Sequence, residues 1–165
     1  MIIMGIDSGI EKTGYAIFRK DKKLKNGFEY LSSGLIKTSK NLSTEKRLLE
    51  IHDSIKHLIK SQKPEALAIE QLFFFKNQKT VIRVAQAQGV IMLLATQHKL
   101  KVDFLTPLQI KLAITGYGQA DKKSVQKMLG LTLKLNGELK QDDQADAIAC
   151  GLAYCYLNKG LETSS

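Results

Sequence analysis

IIMGIDSGIEKTGYAIF, residues 2–18, decides how this chain is read. Residues 2–6 form a short apolar run that stops at Asp7-Ser8-Gly9, as a buried strand stops at a turn. Residues 13–18 supply a second strand. The charged turn 19–26 leads to a third, residues 28–36. Such spacing predicts an antiparallel meander. The first strand ends on a carboxylate, and an acid beside apolar strand residues is costly unless it is paired or binds a cation.

Outward from this meander, Leu48, Ile51, Ile55, Leu58 and Ile59 recur at helical spacing, which predicts an amphipathic helix over 44–61, with Pro64 barring its continuation. Residues 66–69 read as a short buried strand ending in Glu70. The aromatic loop Phe73-Phe74-Phe75-Lys76-Asn77 comes next, then a long helix over 80–98 and a fifth strand over 102–105. Thr106-Pro107 is a cap with proline at the first helical position. Gly116-Tyr117-Gly118 opens a loop, Asp121 caps a helix to about residue 129, Asn136-Gly137 is a turn, and Asp142 or Asp143 caps a last helix to about residue 158. The order βββαβαβ with helices after it predicts an α/β fold: one mixed five-stranded sheet flanked by helices. Residues 1–158 form a single domain on this reading and 159–165 a short tail.

A chain of 165 residues fits one domain. Lys plus Arg number 25 against 16 Asp plus Glu, a formal net charge of +9 with a pI near 9.5, which points to a polyanionic partner or an anionic surface. All but Arg19, Arg47 and Arg83 of these cations are lysines. Lysine is a point charge without arginine's two-point fork for guanine, so recognition of backbone and shape is expected more than base readout. No run of 18 apolar residues spans a bilayer, and Met1-Ile2-Ile3-Met4-Gly5 lacks the basic and long apolar regions of a signal peptide. The chain is expected in the cytoplasm, away from membranes. Cys150 and Cys155 have neither zinc nor disulfide spacing and read as buried reduced thiols. His52, His57 and His98 form no motif with an acid and read as surface or packing residues.

Most acids lie among lysines and look solvated; Asp7, Glu70, Asp143 and Asp146 do not. Asp7 and Glu70 end buried strands. Asp143 and Asp146 open the last helix three residues apart, which places both carboxylates on one face, about 5–6 Å apart at Cβ. Each has a plain alternative: a turn residue for Asp7, a lysine partner for Glu70, an N-cap for Asp143, a dipole-favouring charge for Asp146. Converging carboxylates would instead repel one another and need a cation. Hard divalent ions such as Mg²⁺ take oxygen ligands and serve phosphate chemistry, and two ions roughly 3.5–4 Å apart clamp the attacking and leaving oxygens of an in-line displacement. An acidic site inside a basic protein therefore suggests a metal-dependent nuclease.

The motifs also carry a family resemblance. Gly5-Ile6-Asp7-Ser8-Gly9 with Thr13-Gly14-Tyr15 resembles the start of RuvC-type crossover (Holliday) junction endonucleases. Ala68-Ile69-Glu70-Gln71-Leu72-Phe73, with Lys76-Asn77 and Ala87-Gln88-Gly89-Val90, resembles their second acidic region. Pro107-Leu108-Gln109-Ile110-Lys111 and Ala120-Asp121-Lys122 resemble their basic third region, and Asp143-Gln144-Ala145-Asp146-Ala147-Ile148-Ala149 their closing acidic helix. The similarity covers about residues 2–156, with the motifs in order and at matching spacing.

The resemblance implies a ribonuclease H-like fold and a homodimer cutting two like strands of a four-way DNA junction, leaving 5′-phosphate and 3′-hydroxyl ends. It implies Asp7, Glu70, Asp143 and Asp146 as ligands of two Mg²⁺ ions, with Mn²⁺ as a substitute. It places Lys111 and Lys122 near the scissile phosphate as catalytic cations, and Phe73 where an aromatic stacks at the junction centre. Generic phosphate binding is the plainer reading of both lysines. Lys76, Lys79 and Lys123 extend the expected DNA-binding set, with Phe73 or Phe74 projecting, because three successive phenylalanines cannot all face inward. A stacked aromatic is worth about 1–3 kcal/mol per base. The 80–98 helix carries one apolar stripe through Val81, Val84, Ala85, Gln88, Met92 and Ala95 and more apolar residues at Val90, Ile91, Leu93 and Leu94, which suits burial or a helix shared between subunits.

Three departures stand out. Asp142 adds an acid where the family more often has a small residue, the aromatic triplet is long, and lysine replaces arginine. These put cut-site preference in question, and with it partnership with the branch-migration proteins RuvA and RuvB; a phage form working alone is the alternative. Two rival functions are a nuclease of the same fold acting on structured RNA and a non-catalytic binder of branched DNA. A sugar-kinase or actin-like ATPase needs two such domains, more than 165 residues supply.

Overall fold

The computed structural model describes residues 1–72, 78–135 and 141–158, and of residues 78–80 the helical backbone alone. Among the described residues five strands and five helices occur in the expected order. They are β1 (Ile2–Asp7), β2 (Lys12–Lys20), β3 (Phe28–Lys37), α1 (Thr44–Gln62), β4 (Ala66–Glu70), α2 (Gln78–Gln97), β5 (Lys101–Leu105), α3 (Pro107–Thr115), α4 (Lys122–Leu133) and α5 (Asp142–Leu157). The sheet order is β3-β2-β1-β4-β5, antiparallel across β1, β2 and β3 and parallel across β1, β4 and β5. The expected Asn136-Gly137 turn and the 159–165 tail lie outside the described residues. Among the described residues no helix is long and apolar enough to cross a membrane.

Side-chain alternation splits the core in two. Ile3, Ala16, Phe18, Ala66 and Ala68 face the α3–α5 layer, whereas Met4, Ile6, Ile17, Leu67 and Ile69 face α1 and α2. A fully buried isoleucine or leucine contributes roughly 1.5–3 kcal/mol relative to exposure, so both layers are held mainly by apolar burial. Cys150 and Cys155 are buried free thiols, as expected; burial pushes both thiols up, that of Cys155 to about 12.

Three details differ from the sequence expectation. Helix α4 continues to Leu133, because Met128 and Leu133 extend its apolar stripe against the core until Lys134 turns left-handed. The N-cap of α5 is Gln141, so neither Asp142 nor Asp143 caps; both belong to the first helical turn, where their charge still favours the dipole. On α2 the buried stripe runs through Ala87, Gln88, Ile91, Leu94 and Ala95, leaving Ala85 and Met92 exposed. A helix apolar on more than one side gives periodicity two stripes to choose between; contact with the sheet and α1 chooses.

Helix α5 lies unusually close to the sheet. A Cβ on Gly5 would stand 2.5 Å from the Ala147 carbonyl oxygen and 2.6 Å from the Gly151 nitrogen. One on Gly14 would stand 2.0 Å from the Asp143 carbonyl oxygen, and one on Gly151 would meet the Phe18 ring at 2.7 Å. Backbone therefore rests on backbone.

Gly14→Ala should cost about 1–3 kcal/mol in urea unfolding, since only a backbone shift relieves the overlap. Gly130→Ala, in α4 with open space around its position, should gain about 0.5–1 kcal/mol from helix propensity. Equal effects at the two sites would contradict this packing.

Candidate active site

The alternation that builds the core also aims the acids. Asp7 shares the strand face of Ile3 and Gly5, and Glu70 that of Ala66 and Ala68, so both project toward the α3–α5 layer. β1 and β4 are parallel neighbours with Ile6 opposite Ile69, which sets the two carboxylates side by side at the strand ends. Across β1 the partner of Asp7 is Gly14, over which the Asp143 carbonyl lies. Asp146 stands three residues further along α5. Four acids from three stretches of the chain thus meet at one edge of the sheet.

Their charges register the meeting. Burial first, then the negative charges of Asp146, Glu70 and Asp143, lift the Asp7 carboxyl from 3.8 to about 8, with Lys122 pulling against them. Glu70 is raised by burial and then by Asp146, opposed by Lys122 and Lys111. Asp146 is also raised, chiefly by burial and in part by Asp142 and Asp143, although its hydrogen bond from Lys122 works the other way. These are the signs of carboxylates held together against repulsion.

Lys122 stands among them. Its Nζ donates to Asp146 Oδ2 at 3.0 Å and lies 3.4 Å from Asp142 Oδ2. Burial pulls its pKa down, yet the hydrogen bond and charge of Asp146, then Asp142, leave it raised on balance. Asp142 in turn accepts from Gln126 Nε2 at 3.2 Å, so this additional acid ties α4 to α5 and holds Lys122 from its far side. Lys111, Lys122, Glu70 and Asp146 line a cleft of about 220 Å³. Asp143 lines a wider one of about 500 Å³ with the 9–12 turn and Arg83.

Of the expected site residues, Asp7, Glu70, Asp143, Asp146, Lys111 and Lys122 come together. Lys123 is exposed on α4, lines neither cleft, and exerts its charge on Asp121. Phe73, Phe74 and Lys76 lie outside the described residues, and of Lys79 only the position in the first turn of α2 is described. Sequence reading missed the part played by Gln88. Buried in the α2 stripe, its Nε2 donates to Ser8 Oγ at 3.3 Å and to the Glu70 carbonyl at 3.2 Å, linking the ends of β1 and β4. The available signal was an amide in an otherwise apolar stripe. His52 pairs with neighbouring Asp53, and His57 is exposed on α1, where it lines a surface recess with Asp53.

The donor chemistry suits a hard divalent cation: carboxylate oxygens, partly buried and close enough to repel one another. Among the described residues, however, no three acidic, histidine or cysteine side chains are gathered tightly enough to grip one ion as they stand. The cation now bonded to Asp146 is the Lys122 ammonium.

Comparison with known proteins adds a family. A family model described as Crossover junction endodeoxyribonuclease RuvC matches residues 3–155. The protein of that name from Fusobacterium nucleatum is 48% identical over 149 residues, covering 90% of this chain and 77% of its own length. Its namesake from Dictyoglomus thermophilum is 42% identical over 160 residues, covering 97% and 99%. Among solved structures, T. thermophilus RuvC in complex with Holliday junction substrate superposes with a TM-score of 0.87 at 28% identity, covering 95% of this chain and 94% of that one.

Because the Asp7 carboxyl sits above its ordinary 3.8, its ionisation opposes folding. The contribution of this group is full below about pH 4 and fades as pH rises toward 8. In metal-free buffer, thermal unfolding of the wild type should lose stability relative to Asp7→Asn across that window, by on the order of a few kcal/mol at its end. Divalent cation should narrow the gap. Parallel pH profiles for the two proteins would show that Asp7 bears no such cost.

Proposed function

The chain belongs to the RuvC family of crossover junction endodeoxyribonucleases, and from that premise we propose that it resolves four-way DNA junctions by paired, metal-dependent phosphodiester cuts. The observation that carries the reading is the placement of Asp7 and Glu70 at the neighbouring ends of β1 and β4, against the first turns of α5 that carry Asp143 and Asp146, beside Lys111 and Lys122. Its products are ends bearing 5′-phosphate and 3′-hydroxyl.

In this reading Asp7, Glu70, Asp143 and Asp146 hold two Mg²⁺ ions, with Mn²⁺ able to replace them. Bound there, such ions supply an acidified water and Lewis-acid stabilisation of phosphate oxygens. For Asp146 to hold an ion it would exchange its bond to Lys122, and the Lys122 ammonium, in the cleft it shares with Lys111, would with Lys111 offset charge growing on the non-bridging oxygens. Asp142 and Gln126 keep Lys122 at the rim of that cleft once Asp146 is engaged.

Two cuts in like strands call for two such sites related by a two-fold axis. Exposed Ile82, Met92 and Leu93 give α2 an outward apolar surface suited to pairing with a second copy. The net charge of +9 supplies long-range attraction to the junction. Phe73 and Phe74 are the aromatic candidates for stacking at the junction centre, with Lys76 and Lys79 beside them in sequence. Work alongside branch-migration proteins of the RuvA and RuvB kind belongs to the same reading.

The direct test is cleavage of labelled four-way, three-way and linear DNA with and without Mg²⁺, the four-way substrate being cut only with the ion. Asp7→Asn, Glu70→Gln and Asp146→Asn should each abolish cutting while junction binding survives. Near-normal cutting by any of them removes that residue from the ligand set. Lys122→Ala should lower the single-turnover rate on the order of 10²–10³-fold, the usual effect of losing one pre-aimed charge-stabilising group.

A further inference from the structure

The wider cleft shares Asp143 with the chemistry described above, and the rest of its lining has no part in it. The two clefts flank the end of β1, one on the β2 side and the other on the β4 side. The wall on the β2 side is the turn between β1 and β2, and that turn is pinned from behind. The Gly9 carbonyl accepts from Thr13 Oγ1 at 2.7 Å. The Ile10 carbonyl accepts from Thr38 Oγ1, and the Glu11 carbonyl from the Thr38 N–H at 3.1 Å. Thr38 is itself held by the buried Arg47, whose Nε donates to its hydroxyl at 2.8 Å. Ser8 is held by Gln88, and at Gly9 a Cβ would stand 2.4 Å from the Lys12 carbonyl oxygen.

Three successive carbonyls are therefore bonded within the protein. Besides Glu11 and, where the cleft meets the acidic site, Asp143, the charged side chains lining it are Lys12 and, from α2, Arg83. Among the described residues neither is ion-paired, whereas Glu11 on the same wall is taken by Lys40 at 2.9 Å. Buried Arg47 adds positive charge near Glu11. A rigid turn whose acid is paired with Lys40, with Lys12 and Arg83 facing an open space of about 500 Å³ and Asp143 only at its border with the acidic site, offers two cations to phosphodiester oxygens in a space the size of a nucleotide unit.

We propose that this cleft is a backbone-phosphate subsite for the DNA strand flanking the scissile bond, with Lys12 and Arg83 each engaging one phosphate. The proposal rests on the nuclease reading and deepens it: the strand runs from the Lys111–Lys122 cleft across Asp7 into the Lys12–Arg83 cleft. It makes no use of base identity, so the contacts are independent of sequence.

The test is fluorescence anisotropy of the full chain on a labelled four-way junction in metal-free buffer, titrated from about 50 to 200 mM salt. The Lys12→Gln/Arg83→Gln pair should reduce the log–log salt slope by about 1.4–1.8 and weaken binding about tenfold, and each single variant should show about half the slope change. Arg83→Lys should keep the wild-type slope. Lys22→Gln/Lys25→Gln removes the same charge at the opposite end of the sheet and serves as the control, with matched urea midpoints confirming that all variants fold. A slope change no larger than the control's overturns the subsite. Wild-type cutting with Mg²⁺ is run alongside: loss of the slope effect with cutting intact sinks the subsite alone, while absence of wild-type cutting sinks the nuclease reading.

Discussion

Helix α5 touches β1 and β2 with nothing between their backbones at Gly5, Gly14 and Gly151, and the rest of the site depends on that contact. An ordinary side chain at Gly14 would overlap the Asp143 carbonyl outright. Because the helix can settle so low, its first turns reach the end of β1, where Asp7 stands. The small Ala145, Ala147 and Ala149 keep the same helix buried close to the sheet. Three glycines and a run of alanines thus convert two acids on a helix and two on strands into one cluster.

The cluster opposes the stability of the fold that builds it. Asp7 is carried toward a neutral-range pKa by burial and three like charges, and Glu70 and Asp146 shift in the same direction. Violations of local preference at this density are expected where function requires them and are offset elsewhere. Here the offset is visible in the two apolar layers, in the Gln88 bridge between Ser8 and Glu70, and in the Lys122 ammonium spread over Asp146 and Asp142. Lys122 is thus the cation that offsets both Asp146 and Asp142.

Much of the architecture was legible in residues 2–105. Strand limits were marked by short apolar runs ended by Asp7-Ser8, by the charged turn after Arg19 and by Pro64, and the observed elements agree within one or two residues. The Thr106-Pro107 start of α3 carries the full reciprocal cap with Gln109, as local sequence chemistry dictates. Legibility failed where several residues competed for one job. With Gln141, Asp142 and Asp143 in a row, helix geometry made Gln141 the cap and sent Asp142 to Lys122 and Gln126. Helix α2, apolar on more than one side, announced only part of its buried stripe, Gln88 and Ala95.

The sequence by itself determined the order of elements, the class of fold, the basic surface and the identity of the four unusual acids, because each rests on local spacing and composition. Tertiary structure alone decided that those acids share a field, that Asp142 braces Lys122, and that Lys12 and Arg83 face a common cleft. Each of these depends on distances between segments dozens of residues apart. Such distances are set by how closely backbones pack, and no local pattern of side chains carries that information.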